Sequence, residues 1–207
     1  KYIIENMLKT GKYRFFCLGG AMKHNDYDVV KTKEWEDDWI IQPIDGYGNQ
    51  EIMRSILRHE KPDIVWFMTD PRFWHWLWHM EHEVRPLAPM IYYHVWDNFP
   101  PPTFNQNFYR SNDFIATISK VTNELVKIVA PEVDSDYIPH VVDENIFKKC
   151  SQEEVNELKT AGLVKETNFI NKNGEEKFIF FWNNRNARRK QSGSLIFWFK
   201  DFLDRVG

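Results

Sequence analysis

Cysteine is scarce in this sequence. Only Cys17 and Cys150 occur in 207 residues, too few for a disulfide framework. No secretory leader pattern opens the chain, so a reducing, cytoplasmic setting is expected. Long apolar runs are missing as well. None approaches the roughly 18 residues of a membrane-spanning helix, because charged residues or histidine interrupt the longest stretches. Charge of one sign is not in excess either: the formal net charge is -3, which argues against coating nucleic acid through bulk electrostatics. No GxxxxGK[ST] segment is present, which excludes a P-loop nucleoside triphosphatase. Repeats and low-complexity tracts are absent.

Aromatic residues are plentiful. They make up 16% of the chain, with 9 Trp and 16 Phe, enough for a large rigid core or a cleft lined with flat rings. Hydrophobic residues at 43% and charged residues at 28% are ordinary for a folded globular chain.

The order of elements alternates. Ile3, Ile4, Met7 and Leu8 share one helical face and predict a helix over about 2–10. Tyr13 to Leu18, closed by Gly19 and Gly20, reads as a strand and turn, and the polar stretch from Lys23 to Asp38 as a loop. A strand over Trp39 to Ile44 precedes a helix over Asn49 to His59, with Asn49 as its cap. Asp63 to Met68 is a continuous apolar run, as in a strand buried on both faces.

Pro71 suits the first turn of a helix over roughly 71–82. Strands over Met90 to Val95 and Asp113 to Ile118 flank a Pro-rich loop from Asp97 to Asn105. Ser119 caps a helix to about Ala130, and Tyr137–Ile138 is a brief strand before a loop from Pro139 to Phe147. Ser151-Gln152-Glu153-Glu154 is a capping box for a helix to about Ala161, stopped by Gly162. After a loop over Lys165 to Glu175, a strand over Lys177 to Trp182 and a helix near 193–205 complete the pattern. Strand–helix alternation at this spacing predicts an α/β chain, a Rossmann-like parallel sheet with helices on both faces. Both ends carry helices, which suggests a fragment of a longer protein.

Three constellations stand out. His75, His79 and His82 lie at i, i+4 and i+7, a spacing that can bind zinc. Trp76 stands where a zincin carries Glu, so the reading is a half-exposed histidine stripe and no metal. His94 and Asp97 follow the carboxyl end of a strand, where open α/β sheets bind ligands. His94 is a candidate proton carrier and Asp97 its orienter or a hydroxyl holder; alternatively they are a backbone-satisfied histidine and a turn cap. Asn183, Asn184, Arg185, Asn186, Ala187, Arg188, Arg189 and Lys190 form a basic loop between a strand and a helix. That is suited to a pyrophosphate, with a solvated charge run or a nucleic-acid contact as the alternatives.

Together these stretches resemble the GT-B glycosyltransferases, specifically family 4 of the retaining, nucleotide-sugar-dependent enzymes. SNDFIATISKVTNELV resembles the family's strand that ends in Ser at the next helix. YIPHVVDENIFKK resembles its I-P-N-G-V-D-x-x-x-F signature, with Ile138, Pro139, Val142, Asp143 and Phe147 in place. FIFFWNNRNARRKQSGSLIFWFKDFL resembles its strand–G-R-x-x-x-x-K-G–helix unit, with Arg185 and Lys190 at the family's spacing. His140 and Val141 replace Asn-Gly, and Gln191 replaces Gly.

The resemblance implies an acceptor-side domain over 1–148 without its first strand, and the beginning of a nucleotide-sugar-binding domain over 149–207. It implies transfer of a sugar from a nucleotide-diphosphate donor to an acceptor hydroxyl, with retention and without metal. Arg185 and Lys190 would hold the diphosphate, and His94 and Asp97 would act near the transferred sugar. Ser119, Asp143, Asn183 and Asn184 are further cleft candidates. Trp66, Trp74, Trp96 and Trp182 are either core or sugar-stacking rings. The glycine-rich loop and the Glu-bearing donor segment of the family have no counterpart here. The expected partners are a nucleotide sugar and a carbohydrate, lipid or protein acceptor, with peripheral membrane contact left open and no nucleic acid. A nucleotide-sugar 2-epimerase and a non-catalytic sugar- or nucleotide-binding module are the alternative readings.

Overall fold

The computed structural model describes residues 1–20, 23–161, 172–175 and 177–206. They form two compact units, Lys1–Phe147 and Lys148–Gly207.

The first unit opens with α1 (Tyr2–Leu8) and β1 (Phe15–Gly19), then β2 (Val30–Thr32) and β3 (Glu36–Pro43). β1 pairs in parallel with β3, and β2 lies antiparallel on the other side of β3. The expected loop over 23–38 therefore contains one whole strand and the start of another. Polar residues hid this edge hairpin from a pattern search, because its pairing rests on backbone bonds and a Lys31–Asp37 ion pair rather than on apolar alternation.

The second sheet is all parallel. It contains β4 (Val65–Thr69), β5 (Met90–His94), β6 (Phe114–Thr117) and β7 (Ser135–Tyr137) in that spatial order. Around it lie α2 (Gln50–His59), α3 (His75–Trp78), α4 (Glu81–Val84), α5 (Gln106–Arg110) and α6 (Lys120–Val129). This is a Rossmann-like α/β arrangement, a parallel sheet flanked by helices. Phe67, Tyr92 and Ile115 make one row across three strands. They join Leu77, Val84 and Val126 in a single buried cluster. Helix starts follow their caps: Asn49 accepts the Ile52 N–H at 3.0 Å, and Ser119 Oγ accepts the Thr122 N–H at 3.0 Å.

Two expectations fail here for identifiable reasons. β4 is buried on one side only. Val65 and Phe67 point into the core, while Ile64, Trp66 and Met68 are exposed, Met68 at 47%. A continuous apolar run does not report which face is covered. Among the described residues β4 pairs only with β5, and β1 pairs only with β3, so each leaves one edge unpaired.

The helix expected over 71–82 is broken. A 3-10 turn over Pro71–Phe73 and the short α3 and α4 replace it, with Met80 between them leaving helical geometry at φ -113° and ψ 19°. Leu77, Trp78, Met80 and Val84 are all buried across the break, and Leu77, Met80 and Val84 keep the i, i+3, i+7 spacing of one helix face.

The second unit contains α7 (Gln152–Thr160) and α8 (Ser192–Val206). The expected capping box is present: Glu154 Oε2 accepts the Ser151 N–H at 2.7 Å, and Ser151 Oγ accepts the Glu154 N–H at 3.2 Å. The stop at Gly162 and most of the loop expected over 165–175 lie outside the described residues. Residues 177–182 are not a strand. A strand exists only through a ladder, and no other strand occurs among the described residues of this unit. Phe180 instead packs on Phe199 and Phe202 of α8, with ring centroids 4.9 and 6.0 Å away. No helix among the described residues is long and apolar enough to cross a membrane.

Candidate functional site

The carboxyl ends of β4, β5, β6 and β7 share one edge of the parallel sheet, the place where such sheets accept ligands. Loops from the first sheet reach the same edge. Tyr47, beyond β3, stacks on Phe73 beyond β4 with centroids 4.1 Å apart. Gly48 adopts φ +83°, a conformation that glycine suits, and a Cβ there would make only ordinary contacts with Ile44, Trp76 and Leu18.

At the centre of this edge stands His94, and its ring is fully buried. Tyr92 Oη donates to the Thr69 carbonyl at 2.5 Å. Having given up its only proton, that oxygen accepts from His94 Nδ1–H at 3.0 Å. His94 Nε2 is then the acceptor for the Tyr109 hydroxyl at 2.7 Å. The histidine is thus one tautomer in a chain that ties β4, β5 and α5 together. Burial pushes its pKa down to about 3, against the weak opposing pull of Asp70. Burial likewise pushes the Tyr109 hydroxyl up to about 12. All three rings are neutral across the ordinary pH range. The Thr69 carbonyl held by this chain belongs to a residue at φ +102°, a region that disfavours a β-branched side chain.

His94 was expected to line a cleft as a proton carrier. The described geometry gives it a core position with both ring nitrogens occupied. Asp97, three residues on, is exposed on the loop beyond β5 and does not touch the ring. Its neighbour Trp96 is fixed at two points: Trp96 Nε1–H donates to the Asn98 carbonyl at 2.9 Å, and the Thr122 hydroxyl donates to the Trp96 carbonyl at 2.8 Å.

Ser119 is committed to the start of α6, its Oγ lying 2.8 Å from Thr122 Oγ1 as well as capping the backbone. Ser119→Ala should therefore lower stability by about 1 kcal/mol, and chemical denaturation of the two proteins measures it; an unchanged midpoint would return the hydroxyl to the list of ligand contacts. Asp143 likewise serves its own turn, accepting the Asn145 N–H at 2.9 Å.

Tyr93 was not anticipated. Its hydroxyl donates to the Ile138 carbonyl at 2.9 Å and sits 3.2 Å from His140 Nδ1, which joins β5 to the loop beyond β7. Strand periodicity does place Tyr92 and His94 on one face, so that half of the buried chain had a signal. Tyr109 had none, since its contact spans 15 residues and a loop.

Asn183, Asn184, Arg185 and Lys190 belong to the second unit. The two asparagines and Arg185 are exposed, and Lys190 is half-buried. Arg188–Lys190 form a 3-10 turn that Gln191 ends at φ +54°, directly before α8. None of Arg185, Arg188, Arg189 and Lys190 has a carboxylate partner among the described residues, whereas Arg54, Arg72, Arg85 and Arg110 of the first unit are all ion-paired.

The three histidines of the stripe are all exposed, and His75 and His79 stand one turn apart, the His79 N–H donating to the His75 carbonyl at 3.0 Å. His75 stacks on Phe108 with centroids 4.5 Å apart and His82 lies on the far side of the helix break. No group of three or more His, Cys, Asp or Glu side chains among the described residues is placed to hold a metal ion. Of the tryptophans singled out, Trp74 is tied to the Met68 carbonyl at 2.9 Å, while Trp66 and Trp182 are exposed.

Set beside known proteins, the chain matches no family model, no curated protein and no solved structure.

Proposed function

We propose that this chain is part of a glycosyltransferase that moves a sugar from a nucleotide-diphosphate donor to an acceptor hydroxyl. The observation that carries the reading is the run of four cations with no carboxylate partner among the described residues, ending at the start of a 15-residue helix. Cations without a carboxylate partner among the described residues suit a dianionic ligand, and the helix N-terminus adds partial positive charge of the same sense. Arg185 would fork two phosphate oxygens and Lys190 would add a point charge. Both would offset the negative charge that grows on the departing nucleotide. The order of the sequence motifs that resemble family 4 supports the same reading. Asp97, exposed beyond β5, is the acid available to hold or deprotonate an acceptor hydroxyl.

Isothermal titration with UDP, GDP and ADP tests this. At least one nucleotide should bind, and Arg185→Ala with Lys190→Ala should weaken it by about a hundredfold, taking roughly 1.5 kcal/mol for each charge-assisted contact. An unchanged affinity in the double variant would remove the diphosphate role. Release of nucleotide from a sugar donor that needs no acceptor would favour the epimerase instead.

A further inference from the structure

Resting on that reading, we infer that the loop over 95–104 is the platform for a carbohydrate acceptor. The rings of Phe99, Phe104 and Trp96 would take the apolar C–H face of a pyranose, and the Asp97 carboxylate would accept one of its hydroxyls. Phe99 is 79% and Phe104 73% exposed, large values for rings with buried positions on offer throughout the unit. Trp96 and Phe104 meet edge to face, with centroids 5.9 Å apart at 65°.

The rings stand on a rigid base. Pro100, Pro101 and Pro102 fix three successive φ angles and remove three N–H donors. The Thr103 N–H donates to the Pro101 carbonyl at 2.9 Å and the Asn105 N–H to the Pro102 carbonyl at 2.8 Å, while the buried Thr122 holds the Trp96 carbonyl. Exposed rings on a stiff loop lose little freedom when a ligand lands on them, which favours binding. Asp97 supplies the polar half of the recognition: it has no ion-pair or hydrogen-bond partner among the described residues.

The chemistry selects a sugar over a membrane. An anionic lipid surface is recognised by clustered Lys and Arg, and no Lys or Arg occurs between Val95 and Tyr109. A pyranose presents one apolar face rimmed by hydroxyl donors, which matches flat rings beside an uncommitted carboxylate.

Saturation-transfer NMR on the intact chain with maltose, mannobiose and lactose tests the platform. At least one sugar should show transfer to its ring C–H protons. Phe99→Ala with Phe104→Ala, both at exposed positions, should weaken that binding at least tenfold and leave UDP affinity unchanged. Absence of transfer to all three sugars, or equal affinity in the double variant, overturns the inference. So does co-sedimentation with phosphatidylcholine vesicles that the same double variant abolishes. A chain that binds UDP through Arg185 and Lys190 but binds no sugar loses the platform and keeps the transfer reading. Ring-dependent sugar binding without any nucleotide binding keeps the platform and refutes the transfer reading.

Discussion

Lowering the pH from 6.5 toward 4 should cost the first unit about 1.4 kcal/mol of stability per pH unit through His94 alone. The sign follows from the direction of the shift. An unfolded chain protonates this histidine below its ordinary value of 6.5, whereas the folded chain resists until about 3. Across that window the unfolded state binds the extra proton and is favoured. The contribution is fully present above pH 6.5 and is lost as pH falls, summing to about 5 kcal/mol by pH 3. Urea denaturation at several pH values, on the native chain and on His94→Gln, isolates the effect. The amide can still donate and accept in the buried chain but has no proton to gain. Carboxylates held low by their partners, such as Asp113 beside Arg85, contribute equally to both proteins and cancel in the comparison. Parallel pH curves for the two would mean that the ring already titrates in contact with water.

Trp78→Ala should be the most damaging single truncation, at about 3–5 kcal/mol. The indole is buried against Phe67, Tyr92 and Phe108, stacking on the last with centroids 4.9 Å apart. Its N–H donates to Asn112 Oδ1 at 3.1 Å, and Asn112 in turn donates to the Phe108 carbonyl at 2.7 Å. Removing the ring opens a cavity between α3 and the sheet and strands a buried acceptor. Thermal melts should show a fall of roughly 10 °C, taking ~2–4 °C for each kcal/mol in a unit of this size. Trp78→Phe separates the two effects: it retains most of the packing and loses the hydrogen bond, for about 1–3 kcal/mol. Equal melting temperatures for all three proteins would mean that the ring is not packed as described.

Local chemistry made much of this fold legible. Asn49, Ser119 and the Ser151–Glu154 box mark helix starts because a cap is a contact over three residues, readable within one turn. β5 and β6 are short, apolar and bounded by turn residues, and both occur within a residue or two of where the pattern puts them. What escaped was settled by contacts distant in sequence. The break at Met80 coincides with no Gly or Pro that would have announced it. The exposed face of β4 and the unladdered stretch at 177–182 depend on neighbours that periodicity does not see.

The site divides in the same way. The strand-end position of His94 was readable. Its enclosure by Tyr109 was not, and that contact changes the residue from a candidate proton carrier into a brace for the strand ends. Asp97, Asn183, Asn184, Arg185 and Lys190 keep the accessibility a ligand contact needs.

The sides of β1 and β4 with no strand partner among the described residues have a practical consequence. The other outer strands are protected: β2 carries Lys31, and β7 is three residues long and carries Asp136. Neither Phe15–Gly19 nor Val65–Thr69 contains a charge or a proline, the devices that usually stop one molecule's backbone from templating on another's. These two strands therefore lack the usual guards against edge-to-edge association.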